Sequence, residues 1–344
     1  MENPLIVSGS SDRTIRVWKP PQKLHFFEKV GNIRPILEVL KFLSSKEVIA
    51  IARVSKQFYQ AAFHYEIKHN TFVENQVLRG HTSLVASVTV SHNKEFLVSG
   101  SWDKTIIVWS LVTGQVIQVL RGHWGKVSSV VVSSKDEFLV FGSEDHTLRV
   151  WSLLSGEETL ALGGHTDFVE SVAISSKDEF VVSGSRDNTV RVWSLVSEEQ
   201  VAVLKGHTDW VSSVVISSKD KFIVSGSYDK TLRVWSLASR EEILVLKGHT
   251  GCVDSLAIAS NDEFVVSGDG KGIIRLWNLN TKKQIKFLRG HAQHVVSLSL
   301  SSDCENLVSG GNDRSIRVWN LRKGQQTQLL KGHANIVWSV NLVN

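Results

Sequence analysis

The sequence predicts an all-β fold: a seven-bladed β-propeller closed by N- and C-terminal strands, with a small three-helix α insertion. Three observations predict it. Seven Gly-His pairs (Gly80-His81, Gly122-His123, Gly164-His165, Gly206-His207, Gly248-His249, Gly290-His291 and Gly332-His333) follow one another at steps of 42 residues. Six tryptophans, Trp109, Trp151, Trp193, Trp235, Trp277 and Trp319, keep the same step. The apolar runs between them are short, rich in β-branched residues and separated by Ser, Gly, Asp and Asn, which reads as strands joined by tight turns. A period in the low forties with four such runs is one antiparallel propeller blade.

The chain opens in mid-blade. Residues 5–18 match the second and third strands of the repeat, b and c, with Asp12 and Trp18 in register. Residues 336–343 match the first strand, a. The closing blade therefore takes strand a from the end of the chain and strands b and c from its beginning, and His333 is expected to meet Asp12 and Trp18. Strand d of that blade is displaced. Trp109 to Leu120 is 11 residues, whereas Trp18 to Leu78 is 60. The chain accordingly divides into residues 1–18, an insertion over residues 19–74, and the remaining propeller over residues 75–344.

The unit that starts at His165 shows the rest. Residues 169–174, 180–183, 189–193 and 201–204 are its four apolar runs. Because the strands alternate in direction, the d–a loop carrying Gly-His and the b–c turn lie at the same end of the blade. His165 can then bond Asp187, with Ser183 and Trp193 extending the network. The same sets recur as His81, Asp103 and Trp109; His123, Asp145 and Trp151; His207, Asp229 and Trp235; His291, Asp313 and Trp319. Each satisfied bond contributes about 1 kcal/mol net. Equal spacing puts these histidines one per blade, too far apart to converge on one metal ion, so they read as framework. Two units depart from the pattern. Lys271 stands at the turn-Asp position, which predicts an incomplete network for His249, and Phe141 replaces the strand-b Ser.

By these residues the chain resembles the WD-repeat family of β-propellers, although Trp is followed by Ser or Asn in each unit and never by Asp. Within the insertion the period changes to that of a helix. Ile36, Leu37, Leu40 and Leu43 form one stripe, with Pro35 in a first turn. Ser44-Ser45-Lys46-Glu47 supplies a capping box before Val48 and Ile49, and Ser55 can cap a third helix bearing Phe58 and Tyr59. Residues 39–58 resemble the F-box motif in Leu43, Glu47-Val48, Val54-Ser55-Lys56 and Phe58. The Leu-Pro that usually opens that motif is replaced by Gly31-Asn32. The resemblance implies that Pro35, Ile36, Val39, Leu40, Leu43, Val48, Val54 and Phe58 contact a Skp-type adaptor of a cullin-based (SCF) ubiquitin ligase. It also implies a propeller that holds the ligase substrate.

Comparison of the units with one another locates a partner surface. Most columns repeat, but three vary: the third residue after Gly-His, the residue two further on, and the residue before the turn Asp or its replacement. All three map to the d–a and b–c end. Phe168, Glu170, Arg186, Trp210 and Tyr228 fall on two adjacent blades, while Trp338, Trp102 and Trp124 span the closure. With Lys126 and Asp254 these residues are the expected partner-binding face, since aromatics and Arg anchor interfaces most often. Lys126 and Arg186 permit an acidic ligand.

Bulk properties narrow the function. Nine Lys/Arg and five Glu fall in residues 19–74, leaving 30 basic against 29 acidic residues elsewhere, without the basic stripe of a nucleic-acid binder. No apolar run approaches the ~20 residues of a membrane span, and no secretory signal is visible. Two cysteines, Cys252 and Cys304, cannot build a disulfide framework, which indicates a reducing compartment, cytoplasm or nucleus. Nothing outside the repeated framework pairs a nucleophile with a base, shows metal-ligand spacing or forms a phosphate loop. The expectation is a non-catalytic interaction protein without metal or cofactor, a monomer within a larger complex. A general signalling or trafficking scaffold is the alternative to the ligase receptor.

Overall fold

The computed structural model describes residues 4–20 and 72–343. Among them are 28 strands in seven four-stranded antiparallel sheets. Six sheets follow the chain in order, over residues 85–121, 127–163, 169–205, 211–247, 253–289 and 295–331. These are blades 1 to 6. Blade 7 is assembled from Val337–Val343 (a), Leu5–Ser10 (b), Thr14–Lys19 (c) and Val73–Arg79 (d). Ile6 pairs with Leu342 on one side and Trp18 on the other, so the first and last described strands close the ring in one sheet.

Burial grades outward across each blade, for reasons visible in the residues. The a strands pack against the a strands of both neighbours around the centre. The b strands are almost wholly buried, and Leu5–Ser10 is apolar or small throughout because both of its faces meet protein. The d strands are outermost and mostly exposed, with Leu78, Leu120 or Leu162 as the one buried anchor. The core is correspondingly a set of clusters between neighbouring blades. Val182, Val190 and Leu204 of blade 3, for example, meet Val211, Val214, Ile223 and Trp235 of blade 4. Each fully buried aliphatic side chain contributes about 1.5–3 kcal/mol.

Three repeated contacts set how one blade meets the next. A glycine in strand b receives a valine from the following strand a: a Cβ on Gly184 would lie 2.7 Å from Val211 Cγ1, and Gly100 stands in the same relation to Val127. A strand-a serine accepts from the next blade's backbone, as Ser129 Oγ does from the Val172 N–H (3.2 Å) and Ser171 Oγ from the Val214 N–H (3.1 Å). At the far end, an a–b turn aspartate accepts from the preceding blade. Ser134 N–H and hydroxyl donate to Asp178 (2.9 and 2.7 Å), and Ser176 donates in the same way to Asp220.

The expected helices fall on residues 21–71, outside the described residues, and so do Pro35, Ile36, Val39, Leu40, Leu43, Val48, Val54 and Phe58. At the edges of that stretch, Lys19 pairs with Val73 and Trp18 with Glu74, so the sheet takes in both sides of the stretch read as the insertion. Phe72 is buried with Trp18, Ile316 and Val318, and its backbone exchanges two hydrogen bonds with the Gln328 side chain of blade 6 (2.8 and 2.7 Å).

Candidate functional site

The site rests on the turn network, which the strand directions bring together at one end. In blade 3 His165 Nδ1 lies 2.7 Å from Asp187 Oδ2, His165 Nε2 lies 2.7 Å from Ser183 Oγ, and Trp193 Nε1 donates to the same Oγ at 2.9 Å. The sets at His81, His207, His291 and His333 have the same form, the last joining Asp12, Ser8 and Trp18 across the closure. Burial raises the carboxyl of Asp187, but hydrogen bonds from His165 and Thr189 outweigh it and hold the group well below the usual carboxylate range. Burial lowers His165 against the pull of Asp187.

The expectation of an incomplete network at His249 is wrong. His249 Nδ1 lies 2.9 Å from Asp269 Oδ2, and Ser267 bridges His249 Nε2 (2.6 Å) and Trp277 Nε1 (2.8 Å). Asp269 stands where sister blades have Ser185 or Ser227, two residues before Lys271, and its longer side chain reaches the imidazole. Its other oxygen accepts from the Lys271 and Ile273 N–H groups, so one carboxylate replaces both the Ser and the Asp of the sister turns. The gap falls at His123 instead. Phe141 occupies the serine position and packs against His123 at 5.2 Å, leaving His123 Nε2 and Trp151 Nε1 buried without a partner.

On this frame the varying columns enclose a cavity of about 240 Å³ at the mouth of the central channel. All seven blades contribute to it, and Trp102, Glu170, Arg186, Trp210, Tyr228, Asp254 and Trp338 of the expected face line it, joined by Glu144. Arg186 is held in place from three sides. It pairs with Glu170, and its guanidinium lies 4.2 Å from the Trp210 ring centroid and 4.8 Å from that of Phe168. Trp210 and Tyr228 pack at 5.2 Å, and Trp102 and Trp338 at 6.1 Å, with Trp338 Nε1 donating to Ser11 Oγ (2.7 Å). Lys126 lies 4.1 Å over the Trp102 ring and 3.2 Å from Glu144. Lys126, Phe168 and Trp124 do not line the cavity; Trp124 is 83% exposed at the rim. The two cations are thus already paired with carboxylates, and burial together with nearby acids pushes the Tyr228 hydroxyl up.

One group at this end was not anticipated. Cys252 Sγ donates to Asp254 Oδ1 at 3.6 Å, and His294 Nδ1 lies 2.9 Å from Asp254 Oδ2. One ligand atom from each of the three lies within 4.8 Å of the others. Cys252 and His294 are one repeat apart and hold the same place on adjacent blades. Their separation in sequence therefore looks like framework, and only the varying column could have marked them.

A family model described as WD domain, G-beta repeat matches residues 2–19, 72–110, 114–152, 156–194, 198–236, 240–278 and 282–320. The chain belongs to the WD40 repeat family. It is a WD40 propeller with a protein-interaction role, in a family whose propellers are generally non-catalytic scaffolds. Among curated proteins, a 46-residue stretch is 54% identical to the ribosome biogenesis protein BOP1 homologs of Drosophila erecta and Drosophila melanogaster, and 52% identical to that of Drosophila willistoni. The match covers 13% of this WD40 chain and spans 6% of the length of each relative.

Proposed function

We propose that this WD40 propeller captures a protein or peptide at its channel mouth and serves as the substrate-recognition subunit of a cullin-type ubiquitin ligase. The observation that carries the capture is the aromatic cavity to which every blade contributes a residue from a varying column. The ligase assignment draws on the F-box-like residues 39–58. The chain leaves the sheet after strand c at Lys19 and returns to it at strand d at Val73, at the end of the blade opposite the mouth. An adaptor and a substrate then have separate ground. A second reading, a scaffold in ribosome assembly, draws on the likeness to the BOP1 homologs. That likeness is about one repeat long, and much of one repeat is what any blade needs.

The test is affinity purification of the full chain from cells, with two variants. Arg186→Ala, Trp210→Ala and Tyr228→Ala together should lose the mouth partner while keeping a Skp-type adaptor and cullin. Leu40→Asp with Val54→Asp should lose the adaptor and keep the mouth partner. Recovery of ribosome-assembly proteins with no adaptor would favour the second reading. An unchanged partner set in the mouth variant would overturn the capture site.

A further inference from the structure

We propose that Cys252, Asp254 and His294 form a zinc site between blades 5 and 6, at the edge of the partner cavity. The donor set selects the metal. A thiolate and an imidazole suit zinc, whereas calcium and magnesium take oxygen donors. Three protein ligands with one open position are a common zinc arrangement. Tetrahedral zinc with bonds of about 2.0–2.3 Å holds its ligand atoms roughly 3.3–3.6 Å apart. Cys252 Sγ already stands 3.6 Å from one Asp254 oxygen and His294 Nδ1 2.9 Å from the other, and one ligand atom from each of the three residues lies within 4.8 Å of the others.

The backbone around the cluster is built to permit this approach. The Cys252 carbonyl accepts from the Gly270 N–H (2.8 Å), and the His294 carbonyl from the Asn312 N–H (3.0 Å), so both loops are tied to their b–c turns. Gly270 stands where the other blades carry Ser11, Trp102, Glu144, Arg186, Tyr228 and Asn312. A Cβ there would lie 2.7 Å from Cys252 Sγ and 2.9 Å from His294 Cε1. The glycine is thus the space into which sulfur and imidazole converge.

His294 faces the carboxylate, and the thiol donates to that same carboxylate. A divalent ion replaces the thiol proton and neutralises thiolate and carboxylate together, with His294 binding as a neutral ligand.

The test uses the full chain, stripped with a chelator and kept reduced without added thiols. It is titrated with Co²⁺ followed by absorbance, and with Zn²⁺ against a chromophoric chelator. The wild type should bind one ion per chain with a thiolate-to-cobalt charge-transfer band. Cys252→Ser should abolish the band, and Cys304→Ser should keep it. Loss of even an outer partner of a metal ligand shifts affinity by about 10–100-fold, so His294→Ala should weaken zinc at least about 100-fold. Gly270→Ala, which removes no ligand, should also weaken binding. Sister blades carry Leu84 and Ile336 at the Cys252 and His294 position, so folded variants are expected, and melting curves check this. A wild type without the band, a band that survives Cys252→Ser, or equal zinc affinity in His294→Ala would overturn the site.

Discussion

In each complete cluster the tryptophan decides where every proton lies. An indole N–H can only donate, so Trp193 makes the Ser183 oxygen an acceptor. The serine proton is then available to His165 Nε2, and the imidazole keeps its own proton on Nδ1 and donates it to Asp187. The histidine is neutral and the aspartate charged, which has a consequence in pH. His165 and His249 are held below their unfolded value of about 6.5, so the unfolded chain takes up protons first as pH falls through that value. The turn aspartates are held below their unfolded value of about 3.9, so their contribution is present above it and is lost as pH falls below about 4. Melting midpoints from pH 8 to pH 3 should decline from about 6.5 downward and more steeply below about 4. A flat profile between pH 7 and pH 5 would contradict the neutral histidines. The same networks order three substitutions. His207→Ala and His249→Ala should cost alike, about 2–3 kcal/mol each, while His123→Ala should cost less because Nε2 of that ring has no bond to lose. Urea unfolding of the three variants checks the order.

At the level of strands and turns, the period of the sequence reports what every blade shares and is silent about what one blade does differently. Register told which His, Asp and Trp belong together, because a constant offset survives folding. It failed at Lys271, because the register tests one position and the carboxylate had moved two residues upstream to Asp269. It was also silent about the contacts between blades. Nothing within one unit shows that the hydroxyls of Ser129 and Ser171 hold the backbone of the next. The displaced carboxylate can be tested by moving it back. Asp269→Ser should destabilise the protein by about 3 kcal/mol, since it leaves His249 Nδ1 and the Ile273 N–H without their acceptor. Adding Lys271→Asp should recover most of that loss by rebuilding the sister turn. Thermal melting of the single and double variants decides it, and a double variant no better than the single would show that position 271 cannot reach the ring.

Over the whole molecule, seven blades, their closure and the end at which the columns vary were legible, because each follows from counting strands and alternating their direction. The Cys252–Asp254–His294 cluster was not, because it arises only when the columns of two neighbouring blades meet in space. Closure has a further effect on the long stretch between strands c and d of blade 7. Lys19 and Val73 are partners in the same ladder, which puts their Cα atoms about 5 Å apart whatever lies between them. Sister blades bridge the same gap with a short turn, as residues 153–156 do in blade 2. Replacing residues 20–72 by a copy of 153–156 should therefore give a soluble ring that melts within roughly 5 °C of the parent, the loss of Phe72 being the main cost. Aggregation of that shortened chain would show that the ring depends on the stretch removed. If it folds, this junction is a grafting port: a module whose ends lie side by side can be set into blade 7, with only the Phe72 contacts to blade 6 given up.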